Sequence, residues 1–286
     1  MKLGLPELID TEITLDDILS HPRPALVEFV RNLRDPVLIL GAGGKMGPSL
    51  SLLVKRALNT AGRDIDVIAV SLFHDGQNRQ WLEAHGVRTI VCDLMSRENL
   101  RKLPDCENVV YMAGMKFGTT LNPARTWAFN ALLPANVCER FPHARIVALS
   151  TGNVYPQVPV ESGGSFETDI LTPLGEYSNA CVARERIFEF FSQQNKTPIT
   201  LIRLSYALDL RYGVLVDIAQ MVYAGQEVDV TMGYFNWIWQ RDANEMILRS
   251  LGLAASPPIP LNLTGPIQSV REVAKRFAKL MDCLVK

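Results

Sequence analysis

The densest chemical signal in the chain is Gly41-Ala-Gly-Gly-Lys-Met-Gly47, set between the apolar run Val37–Leu40 and a helical pattern reaching about residue 61. A strand that turns through glycines into a helix suits phosphate. The free N–H groups of the turn and the positive end of the helix dipole converge on one point. Gly41 permits the tight turn, Gly44 lets the backbone approach a pyrophosphate, and Gly47 lets helix and strand pack closely. Gly43, Lys45 and Met46 complete the loop. The spacing predicts a dinucleotide site. In such a site an acid near the end of the second strand usually grips the adenosine ribose, but here Ser71 stands there. A serine does not repel a 2′-phosphate as a carboxylate would, and Lys45 could reach one, so NAD and NADP both remain open. No metal is expected: the five cysteines (Cys92, Cys106, Cys138, Cys181, Cys283) form no C-x-x-C, and the four histidines lack ligand spacing.

The elements that must position this loop alternate. Apolar strand patterns cover 37–40, 66–71, 89–92, 108–112, 145–150 and 200–204. Helical patterns separate them, including 78–85, 126–140 with a kink at Pro134, and 177–193. Continuously apolar strands between helices predict an α/β protein with a doubly wound parallel sheet of the Rossmann type. That dinucleotide-binding domain is expected over 36–205, with a smaller substrate-side lobe over 206–286. Residues 1–35 read as a helical N-terminal extension. In it Thr14-Leu-Asp-Asp17 resembles a capping box, and Pro24 opens a helix through Arg34. It suits a packing arm, with a partner-binding role as the alternative.

Composition narrows the class. The 286 residues are 48% hydrophobic and 21% charged, with 29 basic against 30 acidic side chains. That balance offers no field for nucleic acid or an anionic membrane, and no apolar run is long enough to cross a bilayer. Met1–Asp10 lacks the apolar stretch of a secretory signal, so a cytoplasmic protein with reduced thiols is expected.

The glycine spacing resembles that of the extended short-chain dehydrogenases/reductases, and further segments occur in that family's order over roughly residues 36–275. Cys92-Asp93-Leu94 resembles the adenine-contacting turn after the third strand. Val110-Tyr-Met112-Ala113-Gly114 resembles the segment that passes beneath the cofactor, and Asn130 matches the asparagine of the next helix. Ala148-Leu-Ser150-Thr151-Gly-Asn-Val-Tyr155 looks like the strand end that presents a catalytic hydroxyl. Pro173-Leu-Gly-Glu-Tyr177 resembles the approach to the catalytic tyrosine. Arg203-Leu204-Ser205 fits the strand beside the nicotinamide, and Arg241-Asp-Ala243 and Asn262-Leu-Thr-Gly265 fit later landmarks. The chain is thereby identified as a member of the NAD-dependent epimerase/dehydratase family. The resemblance implies that Tyr177 is the general acid/base and Thr151 its hydroxyl partner.

One position departs. The family places a lysine four residues after the tyrosine, where it lowers the tyrosine pKa and holds the nicotinamide ribose; this chain has Cys181. A free tyrosine has a pKa near ~10 and is a poor base without an adjacent cation. Arg184, seven residues on, could approach on the same helical face. Cys181 reads either as a catalytic thiol or, beside Ala180, Val182 and Ala183, as an inert packed one.

Two functions stand. The first is an NAD(P)-dependent oxidoreductase, epimerase or dehydratase acting on a hydroxyl-bearing carbon of a sugar-like small molecule. The second is a catalytically impaired dinucleotide-binding protein with a sensing or partner-stabilising role. Tyr212, Tyr234, Trp237 and Trp239 could stack on a sugar or simply fill the lobe. Arg211, Arg241, Arg249, Arg271, Lys275 and Arg276 are the lobe's cations for any diphosphate. Residues 157–172 form a polar loop suited to covering a site. The lobe is short against that resemblance, which implies either a longer native C-terminus or a pocket completed by a partner subunit. The resemblance also implies a homodimer paired through the helices at 126–140 and 177–193. Ala131, Leu132, Ala135, Cys138, Ile187, Phe188 and Phe191 there face either a partner or the sheet.

Overall fold

A computed structural model describes residues 6–34, 36–74 and 76–284. Its strands are β1 (Val37–Leu40), β2 (Val67–Ser71), β3 (Arg88–Val91), β4 (Asn108–Tyr111), β5 (Arg145–Thr151), β6 (Ile199–Leu204), β7 (Tyr206–Leu208), β8 (Tyr234–Trp239), β9 (Ile259–Leu263) and β10 (Ile267–Ser269). Its helices are α1 (Glu12–Ser20), α2 (Pro24–Val30), α3 (Gly47–Thr60), α4 (Gln77–Ala84), α5 (Arg97–Arg101), α6 (Pro123–Trp127), α7 (Leu133–Arg140), α8 (Glu176–Asn195), α9 (Val214–Tyr223), α10 (Gln240–Arg249) and α11 (Val270–Met281).

Seven strands form one sheet in the order β3-β2-β1-β4-β5-β6-β9, every pair parallel. The order reverses between β1 and β4, the point where a crevice opens at the carboxyl ends of the strands. Every residue of β1 and β4 is buried, as expected for central strands covered on both faces. Alternate side chains feed two cores. Val37, Ile39, Val67, Val110 and Ile202 pack under α2, α3 and α10 with Leu26, Leu53 and Ile247. Leu38, Leu40, Ile68, Val109 and Ile146 pack under α7 and α8 with Val137 and Phe188. Each fully buried aliphatic side chain contributes about 1.5–3 kcal/mol.

The chain beyond residue 206 serves two places. β9 adds the seventh strand beside β6, Thr200 opposite Ile259, and α10 joins the core of α3. The three-stranded sheet β10-β8-β7 packs with α9 and α11 around Ile218, Val222, Phe235 and Ala274. The extension packs too, through Leu26, Val30 and Leu33.

Several local expectations are corrected. The capping threonine of α1 is Thr11, whose hydroxyl accepts from the Thr14 amide at 3.1 Å. The helix therefore starts one turn earlier than Thr14-Leu-Asp-Asp17 suggests. α2 stops at Val30 rather than Arg34, closed by Arg31 N–H on the Glu28 and Phe29 carbonyls. In place of a kink at Pro134, a π-helical turn over Ala128–Leu132 joins α6 to α7, and Pro134 sits harmlessly in the first turn of α7. Cys138 and Phe188 are fully buried against the sheet, so neither is available to a partner.

Candidate functional site

The glycine loop leaves β1 at the switch point. Gly41 has φ +88°, and a Cβ there would lie 2.7 Å from Ala113 N, so only glycine suits the turn. A Cβ on Gly47 would overlap the Ala42 carbonyl. Gly44 differs: a Cβ there would meet nothing closer than Gly41 O at 3.4 Å. The protein therefore has no steric need of its own for glycine at 44, and the open space above it fits an approaching phosphate. Among the described residues no carbonyl accepts from the amides of Gly43, Lys45 or Met46. Those N–H groups directly precede the 14-residue α3, a sequence of elements suited to binding an anion. The residues present fit a dinucleotide's pyrophosphate.

Beside the loop, a Cβ on Gly43 would lie 2.6 Å from Ser71 Oγ and 3.5 Å from Phe73 Cδ1. Phe73 is a non-glycine residue at φ +48° and is buried, a strained position wedged beneath the loop. Asn78 Nδ2 donates to Gly43 O at 3.4 Å. Asp93 accepts from Met95 N at 2.9 Å, fixing the turn that holds Leu94, itself buried.

Beyond β4, Met112 N donates to Leu40 O at 2.8 Å, carrying Met112-Ala113-Gly114 across the end of β1. Asn130, fully buried in the π-helical turn, donates to Met115 O at 2.9 Å and accepts from Met115 N at 3.2 Å. It thereby pins this segment. Arg184 Nη2 also donates to Asn130 Oδ1, and a Cβ on Gly114 would overlap that guanidinium.

Tyr177, in the first turn of α8, has Thr151 and Cys181 as neighbours. Burial pushes the Tyr177 hydroxyl well above its ordinary value; the Arg184 charge opposes that rise. Burial likewise raises the Cys181 thiol, again opposed by Arg184. A thiol held neutral and fully buried matches the packed reading of Cys181. Ser150 points elsewhere: its Oγ donates to Glu185 Oε1 at 2.5 Å. Glu185 also takes Arg203 in a buried ion pair at 2.8 Å. Arg203 Nη1 reaches Tyr155 OH at 2.7 Å and Glu167 O at 2.9 Å. Asn262 closes the network onto Tyr155 and Ser165. The network ties the second half of the 157–172 loop to β6 and β9. Leu204 and Ser205 follow at the end of β6, with Ser205 N donating to Leu263 O at 3.1 Å.

Lys45 Nζ sits 4.3 Å from the Tyr212 ring centre and 5.5 Å from Phe117. Lys116 Nζ sits 5.8 Å from Phe117 and 5.5 Å from Tyr206. Burial lowers the Lys116 pKa, and the nearby Lys45 charge lowers it further. Most of the lobe's arginines lie elsewhere. Arg211 is held by Asp209 and Asp16, Arg241 donates to His21 O, and Arg249 pairs with Glu245. Trp237 joins the lobe core. Sequence reasoning passed over Lys116, although a lysine directly after the β4 segment was a signal. It also passed over Glu185, which only the fold connects to Arg203.

A description of the NAD dependent epimerase/dehydratase family matches residues 37–208. Among solved structures the chain is similar to a Thermus thermophilus UDP-glucose 4-epimerase in complex with NAD, at 19% identity and TM-score 0.71, covering 88% of this chain and 85% of that one. It is similar to a Bacillus anthracis dTDP-glucose 4,6-dehydratase in complex with NAD, at 16% identity and TM-score 0.72, covering 87% and 81%. It is also similar to RMD from Pseudomonas aeruginosa complexed with NADPH, at 18% identity and TM-score 0.65, covering 88% and 86%. At these identities the likeness is one of fold. No curated protein matches the chain.

Proposed function

The chain belongs to the NAD dependent epimerase/dehydratase family, and on that footing we propose that it is an NAD(P)-dependent enzyme acting at a hydroxyl-bearing carbon of a sugar-like small molecule. One observation carries this reading: Tyr177 of α8 and Thr151 at the end of β5 are neighbours at the same sheet edge as a glycine loop in which, among the described residues, the Gly43, Lys45 and Met46 amides have no backbone acceptor. The reacting substrate oxygen sits between these two hydroxyls, and Tyr177 gives or takes its proton. The nicotinamide cofactor, when bound, supplies or accepts the hydride.

Gly41, Gly43, Gly44, Lys45, Met46 and Gly47 hold the phosphates, with Ser71, Asp93 and Leu94 on the adenosine side. Met112, Ala113, Gly114 and Asn130 form the floor, and Ser150, Leu204 and Ser205 flank the nicotinamide end; Ser150 contributes backbone, since Glu185 holds its hydroxyl. Ser71 tolerates either NAD or NADP, whereas Lys45, expected to reach a 2′-phosphate, instead lies over the Tyr212 ring. Lys45 and Lys116 with the Tyr206 and Tyr212 rings favour a sugar bearing an acidic or phosphorylated group. Solved relatives bind such ligands, one of them UDP-glucose.

Trp127, Leu132 and Phe190 are 38%, 49% and 59% exposed on α6, the π turn and α8, and support a homodimer through that face. Five free cysteines and the lack of a membrane-spanning helix among the described residues support a cytoplasmic location. A screen of nucleotide sugars and sugar acids with each cofactor tests the activity. On the substrate found, Tyr177→Phe should lower turnover about 10²–10⁴-fold while leaving cofactor affinity within a few-fold. Unchanged turnover would remove Tyr177 from the chemistry. A second reading, a cofactor-dependent sensor without catalysis, is favoured by Cys181 at the lysine position. It predicts no turnover in that screen, before or after Cys181→Lys.

A further inference from the structure

Arg184 has no task in the reading above, yet its position is the most demanding in the site. The residue is 5% exposed, and among the described residues no carboxylate lies within ion-pair distance of it. Its neighbour Glu185 is committed to Arg203 and Ser150. A buried guanidinium without a counter-ion is strongly disfavoured unless its charge serves something nearby. Its contacts show where that charge is aimed. Nη1 donates to Leu149 O at 2.8 Å, in the strand that ends at Thr151. Nη2 donates to Asn130 Oδ1, which pins the segment after β4. A Cβ on Gly114 would lie 3.3 Å from Cζ, so the guanidinium is seated directly behind that glycine. Nε has no partner. On α8 the residues Tyr177, Cys181 and Arg184 stand at i, i+4 and i+7, one above another on a single face.

We propose that Arg184 is the cation of this site, delivering from i+7 the positive charge that related enzymes deliver from a lysine at i+4, with Cys181 as the small side chain that leaves the guanidinium room. The inference rests on the reading of the chain as a cofactor-dependent enzyme. Arg184 is a positioning residue: it acts through Tyr177, whose deprotonated oxygen it favours, and through the field it sets behind Gly114. That field opposes the burial that holds Tyr177 protonated.

A purely structural Arg184, serving only to tie Leu149 to Asn130, makes a different prediction, and the oxidised and reduced cofactors separate the two. The oxidised nicotinamide ring carries a positive charge that the reduced ring lacks, so a fixed cation nearby weakens the oxidised form selectively. Calorimetric titration of both forms should show Arg184→Gln shifting the affinity ratio about tenfold toward the oxidised form. Arg184→Lys should leave the ratio within about twofold. The double variant Cys181→Lys/Arg184→Gln, which returns the cation to i+4, should restore it. Equal loss of both forms in Arg184→Gln, with the ratio unchanged, overturns the proposal. So does failure of both Arg184→Gln and Arg184→Met to fold, judged by circular dichroism, since that gives the residue a structural role. If the unaltered protein binds neither form, it is the family-based function that fails, an outcome distinct from either.

Discussion

The glycine loop and the Tyr177 end of the site share one sheet edge but are specified by different physics. The loop is a backbone device: Gly41 and Gly47 are fixed by the close approach of Ala113 and Ala42, and the phosphate cradle proposed there is made of amides. The proposed reaction end is a side-chain device, in which Tyr177, Cys181 and Arg184 share one face of α8 beside a network running from Ser150 to Asn262. A backbone device tolerates few changes and keeps its family form. A side-chain device can exchange one residue for another on the same helical face, and here Cys181 stands four residues after Tyr177 and Arg184 seven, two turns along α8.

The largest effect should come from the network beneath the reaction end. Glu185→Ala leaves Arg203 buried without its carboxylate and should destabilise the fold by about 3–5 kcal/mol in urea unfolding. Glu176, exposed on the same helix and, among the described residues, bonded through its side chain only to Trp127 Nε1, should tolerate alanine within about 1 kcal/mol. Comparable losses at both would mean that the buried network is not what holds the reaction end.

Next comes the loop itself. Gly47→Ala forces a methyl group against the Ala42 carbonyl and should cost about 1–3 kcal/mol of stability. Gly44→Ala, with open space around its Cβ position, should leave stability within about 0.5 kcal/mol while weakening dinucleotide binding roughly tenfold or more, about 1.4 kcal/mol. The contrast between these two glycines separates fold from ligand. A Gly44→Ala protein as unstable as Gly47→Ala, or one that binds cofactor normally, would break it.

The same division explains what the sequence disclosed. The strand-glycine-helix signal at 37–47 is local in the chain, and so are the apolar runs that became β1, β2, β4, β5 and β6. Their order follows from the handed connections of a parallel sheet. β9 was hidden because Ile259–Leu263 contains a proline and pairs with a strand some 60 residues earlier. The Thr11 cap was hidden by a competing threonine at 14. The meeting of Arg184 with Asn130 and Gly114, and of Lys45 with Lys116, joins segments that lie far apart in sequence. Spacing along α8 put Arg184 on the Tyr177 face; nothing local encoded its partners or the meeting of the two lysines.

The central claim is that this sheet edge holds a nicotinamide dinucleotide, and titration calorimetry of the purified protein with NAD, NADH, NADP and NADPH tests it most directly. At least one oxidised–reduced pair should bind at micromolar concentration, and more weakly after Gly44→Ala in a protein of unchanged stability. No binding of any of the four to the folded protein would contradict it.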